Sequence, residues 1–133
     1  ALLSQLCLKS RKLRKEASIV FISSISGIVC AIPGNSIYSA SKGAVSGLAR
    51  NMALDLAPKK IRVNCVVPGM IETNLMKEEK ITPDQIEEDV KRYPLKRYGK
   101  PEEVAYAVVY LLSDASRWVT GTNMLIDGGY TLL

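Results

Sequence analysis

The sequence predicts an α/β fold in which helices flank three parallel strands, an arrangement that makes up half of a doubly wound sheet. The run 18–23 is apolar without alternation, which is typical of a parallel strand covered on both faces. Further strands are predicted at 61–67 and 123–127, with a helix between each pair. Strand–helix–strand units of this kind normally close through right-handed crossovers, so all three strands should be parallel.

Composition places the chain among globular proteins. Its 133 residues are 47% hydrophobic with a mean hydropathy of +0.08, which suits one modest domain with its own core. No apolar run approaches the roughly 20 residues that a membrane-spanning helix needs. We therefore expect a protein that works without a membrane.

The reactive residue types exclude several kinds of active site. The chain has no histidine, which rules out a Ser-His-Asp triad, a Cys-His dyad and histidine metal ligation within it. Cys7, Cys30 and Cys65 are widely spaced, which fits a reduced cytoplasmic protein better than a disulfide scaffold or zinc site. Proton chemistry must come from Tyr, Lys, Ser, Cys, Asp or Glu.

The net charge of +5 includes a basic cluster near the N-terminus. Such a cluster can attract nucleic acid, a membrane surface or an acidic protein. The simpler interpretation is a solvated helix end, where cations also suit the helix dipole. No aromatic residue interleaves with these charges to stack on single-stranded nucleic acid, and we predict neither a nucleic-acid nor a membrane partner. The cluster comprises Lys9, Arg11, Lys12, Arg14 and Lys15.

The first half of the chain is predicted as a helix at 1–15, the strand at 18–23, a glycine- and proline-marked loop at 24–36 and a helix at 37–57. Pro58 should end the second helix. Gly43 and Gly47 could permit a close approach to that helix. Its buried side is predicted from small and apolar residues, namely Ala40, Ala44, Gly47, Leu48 and Leu54.

The second half begins with the strand at 61–67. A polar segment at 70–98 follows, with short helices, and Thr82 and Pro83 should cap and open one of them. Long excursions at strand ends often cover a substrate, so we expect residues 74–98 to line a pocket. A helix is predicted at 101–113, with its apolar run 104–112 mostly buried, before the last strand at 123–127.

Ser24, Tyr38 and Lys42 form the candidate chemical group. Tyr38 and Lys42 are four residues apart and share one face of any helix that carries both. An ammonium beside a phenol lowers the pKa of the phenol, so the tyrosine can act as acid or base nearer neutral pH. Ser24 follows the first strand, where ligands bind in open α/β sheets, and its hydroxyl could hold a carbonyl or alcohol oxygen.

Four sequence features together resemble the short-chain dehydrogenase/reductase family, and within it the 3-oxoacyl-[acyl-carrier-protein] reductases. They are Ser24, the motif Tyr38-Ser-Ala-Ser-Lys42, the run from Arg62 to Gly69 (RVNCVVPG) and the terminal Asp127-Gly-Gly. The resemblance implies a Rossmann-like doubly wound sheet. It covers nearly the whole chain but only the C-terminal half of the family's domain.

The resemblance also implies roles. Tyr38 would protonate a carbonyl oxygen as hydride arrives from a nicotinamide, and would act as base in reverse. Lys42 would tune Tyr38 and bind the nicotinamide ribose, and Ser24 would hold the substrate oxygen. Ser24 precedes Tyr38 by one residue more than the family's usual spacing, and the alternative, Ser26, by one fewer. Ser24 is preferred because it follows the strand end and precedes Gly27 as the family pattern requires.

Pro68, Gly69, Ile71 and Thr73 match the family's P-G-x-x-x-T loop. By resemblance, the backbone at Ile71 and the Thr73 hydroxyl would hold the nicotinamide carboxamide. The alternative is a simple turn after a strand, with Thr73 capping a helix.

The chain contains no glycine-rich strand-to-helix turn of the kind that binds a dinucleotide pyrophosphate. In the family that turn, an assisting asparagine and the residue that selects NAD or NADP lie in the first half of the domain. We therefore expect residues 1–133 to be a family member cut inside a helix, without its N-terminal dinucleotide-phosphate-binding half. The alternative is a non-catalytic fragment or interaction module unable to bind cofactor.

The resemblance implies a small carbonyl or alcohol substrate, including a carrier-bound acyl chain, and a homotetramer or homodimer. Lys15 and Lys59 fall where related reductases carry basic docking residues for an acidic carrier. The apolar residues 104–112 and the Leu132-Leu133 end would suit subunit contacts.

Overall fold

A computed structural model describes residues 2–10, 12–73 and 82–132. Three strands form one parallel sheet in the order β1-β2-β3. The strands are β1 (Ser18–Ile22), β2 (Arg62–Pro68) and β3 (Asn123–Ile126), and the helices are α1 (Leu2–Lys9), α2 (Ser36–Leu56), α3 (Pro83–Val90) and α4 (Pro101–Leu112). The predicted α/β class with three parallel strands is confirmed.

The central strand β2 carries the core. Its register runs from Ser18 opposite Arg62 on one side to Ile126 opposite Pro68 on the other. Every residue of β2 after Arg62 is buried. By contrast, β1 lies at one edge of the described sheet and is only partly buried, with Ile22 45% exposed. β1 has a described strand neighbour on one side only, but both of its faces are covered as predicted, because Ile19 and Phe21 pack on the α2 side and Val20 packs on the α4 side.

Side chains alternate across β2, and helices cover both of its faces. On one face Val63, Cys65 and Val67 pack with Ala49 and Ala53 of α2. On the other face Val66 packs with Ala107 and Leu111 of α4. The sheet is therefore doubly wound.

This arrangement corrects the prediction of two right-handed crossovers. The strands follow one another in a single direction across the sheet, while α2 and α4 lie on opposite faces. The two crossovers must then have opposite hands, so the right-handed rule holds for only one of them. The rule describes compact strand–helix–strand units. Here the long excursion 69–100 precedes α4 and gives the chain the length to change faces.

The buried side of α2 differs from the prediction. The buried residues are Ser46, Ala49, Ala53 and Leu56. Ala40, Ala44, Gly47 and Leu54 are exposed, and Leu48 is half-buried. Small and apolar residues lie all around this helix, so their spacing could not show which side meets the sheet.

Helix α1 ends at Lys9, although it was predicted to continue to 15. The Ser10 hydroxyl donates to the Leu6 carbonyl at 2.7 Å, a local side-chain bond that competes with further helix. Glu16 has a φ of +67°, which is incompatible with a continuing right-handed helix. Arg11 of the basic cluster lies outside the described residues.

Helix α3 begins as predicted. Pro83 is its first residue, the Gln85 N–H donates to Thr82 Oγ1 at 3.3 Å, and the Thr82 N–H donates to Gln85 Oε1 at 2.9 Å. This reciprocal pair is a capping box. Residues 74–81 of the predicted substrate-covering segment lie outside the described residues.

Helix α4 is only half covered, which corrects the expectation that 104–112 is mostly buried. Ala107 and Leu111 are buried, whereas Tyr106, Val109 and Tyr110 face outward at 71, 63 and 40% exposure. A helix lying on one sheet face buries one stripe only. None of the helices in the described part of the chain has the length and apolarity to cross a membrane.

Candidate active site

The C-terminal ends of the three parallel strands meet at one edge of the sheet. Ser23 and Ser24 follow β1, Gly69 follows the last residue of β2, and Asp127 follows β3. Because strand dipoles and loop openings converge there, this edge is the usual ligand side of an open α/β sheet. The candidate residues from all three motifs are thus brought together.

Two hydrogen bonds join Lys42 to the end of β1. The Ser23 hydroxyl donates to the Lys42 carbonyl at 2.7 Å, and Lys42 Nζ donates to the Ile22 carbonyl at 3.3 Å. Ser23 is buried. Lys42 is therefore held at both its backbone and its side chain, so its ammonium has a defined place.

Lys42 Nζ lies 5.6 Å from the centroid of the Tyr38 ring, within cation–π range. The i,i+4 spacing does bring the two side chains to one face of α2, as predicted. Tyr38 remains 47% exposed, so the residue is accessible from solvent. A phenol beside a fixed ammonium and open to solvent is arranged for proton transfer.

The structure separates the two candidate serines. Ser26 is buried, and its hydroxyl is 2.7 Å from that of Ser39 on α2. Ser24 is half-buried, and its Oγ accepts the Ser26 N–H at 3.2 Å. Ser26 therefore joins the loop to the helix, whereas Ser24 keeps its hydroxyl proton for another acceptor.

Close backbone packing sets the distance between this loop and α2. Gly27 has a φ of +82°, and a Cβ there would lie 2.2 Å from the Ser39 carbonyl oxygen. A Cβ on Gly43 would lie 3.1 Å from the Gly27 oxygen, so the expected close approach at Gly43 is confirmed. A Cβ on Gly47 would meet no described atom within 4 Å beyond its chain neighbours and its own helix backbone, so the expected close approach at Gly47 is wrong.

The loop after β2 is hydrogen-bonded on both sides. The Gly69 N–H donates to Ile126 O at 3.0 Å, the Gly99 N–H donates to Met70 O at 3.0 Å, and the Glu72 N–H donates to Gly99 O at 2.8 Å. Pro68 is buried, Gly69 and Ile71 are half-buried, and Thr73 is exposed. These hydrogen bonds fix the loop from Gly69 to Glu72, which follows Pro68 at the end of β2 and precedes Thr73. A helix capped by Thr73 would lie outside the described residues.

Asp127 anchors the turn after β3. Its carboxylate accepts the Thr131 hydroxyl at 2.6 Å and the N–H groups of Gly129 and Thr131 at 3.0 Å each. Burial raises the pKa of Asp127, but these hydrogen bonds outweigh it and the pKa is lowered. Asp127 is therefore an ionised structural group.

The three cysteines are free thiols. Burial raises the pKa of the Cys30 and Cys65 thiols, which disfavours the nucleophilic thiolate. Over the described ranges, no three His, Cys, Asp or Glu side chains are grouped to hold a metal ion. A cavity of about 710 Å³ lined by Lys60, Arg62 and Trp118 lies at the other end of β2, away from the candidate residues.

The family model described as enoyl-(acyl carrier protein) reductase matches residues 1–131. A solved short chain dehydrogenase family protein from Francisella tularensis subsp. tularensis SCHU S4 is 38% identical with a TM-score of 0.85, covering 93% of this chain and 55% of that one. The chain belongs to the short-chain dehydrogenase/reductase family. Its three parallel strands and flanking helices are part of that family's Rossmann fold.

Other short-chain dehydrogenase/reductase relatives share the same region. A tropinone reductase homolog of Arabidopsis thaliana is 43% identical over 130 residues, which are 98% of this chain and 49% of the relative. The 3-oxoacyl-[acyl-carrier-protein] reductase FabG of Thermotoga maritima is 44% identical over 119 residues, 90% of this chain and 47% of the relative. The chain spans about half the length of these curated relatives.

A gluconate 5-dehydrogenase from Burkholderia cenocepacia J2315, solved in complex with NADP and tartrate, is 34% identical with a TM-score of 0.80. The match covers 87% of this chain and 45% of that one. As with the two curated relatives, the shared region is about half of the larger protein.

Sequence reasoning missed several residues of the candidate site. The Ser23 hydroxyl orients Lys42 by donating a hydrogen bond to its carbonyl, and the Ser39 hydroxyl is hydrogen-bonded to that of Ser26. Tyr93 contacts the loop after β2, but it lies in the segment 70–98, which the sequence indicates only to be polar. The available signals were slight: Ser23 is one of three closely spaced serines, and Tyr93 precedes a proline.

Proposed function

We propose that the complete protein containing this chain transfers hydride between NAD(P)H and a ketone or secondary alcohol, with Tyr38 as the general acid and base. The observation that carries the proposal is the pairing of an exposed Tyr38 with Lys42, whose Nζ lies 5.6 Å from the ring centroid at the C-terminal edge of the sheet. Membership of the short-chain dehydrogenase/reductase family supports it.

The residues fit the nicotinamide end of such a cofactor. A lysine ammonium has three donors, and the described contact of Lys42 with the Ile22 carbonyl uses one, which leaves donors for ribose hydroxyls. Ile71 and Thr73 lie on the anchored loop after β2 and would face the carboxamide. The fit does not extend to the pyrophosphate, since the 133 residues have no glycine-rich turn. We propose that sequence outside these residues supplies that half of the site.

The bound nicotinamide would supply or accept the hydride. In reduction, the Tyr38 hydroxyl gives its proton to the oxygen that was the carbonyl, and in oxidation the Tyr38 phenolate removes the alcohol proton. Lys42 holds its positive charge beside the Tyr38 ring, with Nζ 5.6 Å from the ring centroid. Ser24 donates a hydrogen bond to the same substrate oxygen and holds it facing Tyr38.

For the substrate we propose a ketone of the 3-oxoacyl thioester type, because a relative with 44% identity is named 3-oxoacyl-[acyl-carrier-protein] reductase. The tropinone reductase homolog makes a cyclic ketone the competing choice. Lys15 and Lys59 are exposed, as docking of an acidic carrier would require. Either NADP or NAD serves as cofactor in this proposal, and three free thiols suit a cytoplasmic location.

The test compares the complete wild-type protein with its Tyr38→Phe variant. Oxidation of NADPH and NADH is followed with a 3-oxoacyl thioester and a cyclic ketone. Removing the proposed proton donor should lower kcat by roughly 100-fold or more, with cofactor affinity changed by less than about threefold. The control is Tyr106→Phe, whose ring is 71% exposed on α4. Retained turnover in Tyr38→Phe would overturn the role of Tyr38.

A non-catalytic interaction module is the second candidate. The observation in its favour is the missing glycine-rich turn, without which the 133 residues alone lack a pyrophosphate site. Fluorescence titration of the purified 133-residue chain with NADPH tests it directly. Binding would exclude this candidate, and failure to bind by the complete protein as well would favour it over the enzyme.

A further inference from the structure

A buried tyrosine outside the sequence motifs contacts the loop proposed to hold the nicotinamide. Tyr93 follows α3, is only 4% exposed, and accepts the Met70 N–H on its hydroxyl oxygen at 3.4 Å. Met70 lies between Gly69 and Ile71 in that loop. The Met70 carbonyl accepts the Gly99 N–H at 3.0 Å. Both polar backbone groups of Met70 therefore point at the segment 93–99.

The Tyr93 ring is held by two other tyrosines. It meets Tyr98 edge-on, with centroids 5.5 Å apart and planes at 86°, and it stacks at a tilt on Tyr130, with centroids 4.8 Å apart. Aromatic pairs at these distances attract beyond their burial of area. The hydroxyl of Tyr93 is therefore presented to Met70 by a ring that has little room to move.

Tyr98 and Tyr130 are fixed in turn by polar contacts. The Tyr98 hydroxyl donates to Asp89 Oδ2 at 2.9 Å, and Arg92 pairs with Asp89 Oδ1 at 3.2 Å. Arg92 also donates to the Tyr130 hydroxyl and lies over the Tyr130 ring. This tyrosine cluster, defined as Tyr93, Tyr98 and Tyr130, joins the end of α3 to the turn after β3.

We propose that Tyr93 is a positioning residue for the nicotinamide loop, holding the Met70 amide so that the backbone at Ile71 and the Thr73 side chain face the cofactor. This role rests on the proposed function. The loop starts at Gly69, whose backbone is intrinsically permissive, so an anchor on the next amide limits rotation where the loop leaves the sheet. Because Tyr93 acts through Met70, it need not touch the cofactor.

The Tyr93 hydroxyl is uncharged at neutral pH, and its oxygen can accept a hydrogen bond in that state. Burial raises its pKa to about 12, so the hydroxyl stays protonated at neutral pH and still offers lone pairs to the Met70 N–H. Among the described residues, the charged side chains that act on Tyr93 are Asp89 and Arg92.

The test compares Tyr93→Phe with Tyr98→Phe in the complete protein. Both variants keep the ring and remove one hydroxyl from the same cluster, but only the Tyr93 hydroxyl contacts the loop. The readouts are the dissociation constant for NADPH, hydrogen exchange of the 69–73 amides, the Tm, and kcat at saturating NADPH.

Tyr93→Phe should raise the NADPH dissociation constant roughly three- to tenfold, the usual worth of one neutral hydrogen bond, and speed amide exchange at Met70 and Ile71. Its kcat at saturating cofactor should stay within about threefold of wild type, because the reacting groups are unchanged. Tyr98→Phe keeps the ring that packs on Tyr93, so it should lower the Tm while changing the dissociation constant and the 69–73 exchange less than Tyr93→Phe does.

Equal effects of the two variants on NADPH affinity would overturn the positioning role, since a general loss of packing would then explain both. An unchanged dissociation constant in Tyr93→Phe would also overturn it. In either case the wild-type protein would still bind NADPH, so the proposed function would stand. A wild-type protein that binds no reduced nicotinamide would instead refute the proposed function, and the role of Tyr93 with it.

Discussion

At the residue scale, the geometry of the candidate site depends on residues that take no part in the proposed reaction. Gly27 lets the loop after β1 lie directly on α2, because its φ of +82° and the Ser39 oxygen leave no room for a side chain. Ser23 and Ser26 then tie the loop and the strand end to the same helix. The positions of Ser24, Tyr38 and Lys42 relative to one another depend on this packing.

Gly27→Ala should destabilise the complete protein more than Gly34→Ala. Both glycines have a φ near +80°, so both variants carry the cost of a left-handed alanine, about 1 kcal/mol. Only at Gly27 does the new Cβ meet backbone, at 2.2 Å, and this clash should add at least about 2 kcal/mol. Urea unfolding measures the difference. Equal losses would show that the loop can move away from α2.

Ser24→Ala and Ser26→Ala should distinguish a serine that takes part in the reaction from one that stabilises the fold. Ser24→Ala should lower kcat by roughly 10- to 100-fold, because a hydrogen bond to the reacting oxygen is lost. Ser26→Ala should cost about 1 kcal/mol of stability, because the Ser39 hydroxyl loses its partner, with a smaller effect on kcat. Steady-state kinetics and thermal unfolding of both variants provide the comparison. The reverse pattern would make Ser26 the substrate-binding serine.

At the element scale, one arginine holds the end of α4 against the sheet. Arg62 is the first residue of β2, and its guanidinium donates to the carbonyls of Leu111 and Ser113 at 2.8 and 3.0 Å and to the Ser116 hydroxyl at 2.9 Å. Ser18 of β1 also donates to the Leu111 carbonyl at 2.8 Å. The Leu111 carbonyl near the C-terminus of α4 is thus satisfied by residues of both strands beneath it.

Arg62→Lys should therefore lower the free energy of unfolding by about 2 kcal/mol, because an ammonium cannot reproduce the planar set of donors. Arg117→Lys is the matched control. Arg117 pairs with Asp114 at 2.6 Å, but both side chains are largely exposed, so its replacement should cost less than about 0.5 kcal/mol. Chemical denaturation of both variants tests this, and similar losses would contradict the capping role of Arg62.

The contacts of Glu103 at the start of α4 should make the stability of the protein depend on pH in the acid range. Glu103 accepts both N–H groups of Arg97, at 2.7 and 2.6 Å, and the Lys100 N–H at 2.8 Å. The hydrogen bond from Arg97, followed by that from Lys100, lowers the pKa of Glu103 to about 2 from 4.5. A lowered native pKa means that the stabilisation is complete above pH 4.5 and is lost as the pH falls toward about 2.

Glu103→Gln should accordingly lower the Tm at neutral pH and flatten its fall between pH 4.5 and about 2. Glu102→Gln, one residue earlier and exposed, is the control and should keep the wild-type profile. Thermal melts across this pH range supply the measurement. A wild-type slope in Glu103→Gln would assign the acid sensitivity to other carboxylates.

At the scale of the whole molecule, apolar side chains face outward on both layers of helices. Leu54 on α2 is 76% exposed, and Tyr106 and Val109 on α4 are 71 and 63% exposed. Patches of this kind are typical of interaction surfaces. They agree with the homodimer or homotetramer that the family resemblance implies for the complete protein. Leu132 is also exposed, while Leu133 lies outside the described residues.

Val109→Glu should shift the complete protein toward a smaller assembly, because a charge would be buried without a partner at the contact. Light scattering after size-exclusion chromatography measures the mass. Lys59→Glu, an exposed charge change elsewhere, is the control. An unchanged mass in Val109→Glu would exclude the outer face of α4 as a subunit contact.

The sequence by itself determined the class of the fold, the approximate bounds of each strand, the capping of α3 and the shared face of Tyr38 and Lys42. These features follow from local periodicity, capping and turn chemistry, which act over a few residues. The same motifs identified the family, because Ser24, Tyr38, Lys42 and the loop from Pro68 to Thr73 lie on one continuous half of its domain.

Only the tertiary structure decided which side of α2 is buried, that α2 and α4 lie on opposite faces of β2, and that Ser26 joins the loop to α2 while Ser24 stays open. It also brought Tyr93 to Met70, across more than twenty residues of chain. Each of these features depends on contacts between segments distant in sequence. On α2, small apolar residues lie on every side, so their spacing does not show which side is buried. Long-range packing against β2 determines these arrangements, and local sequence patterns do not encode them.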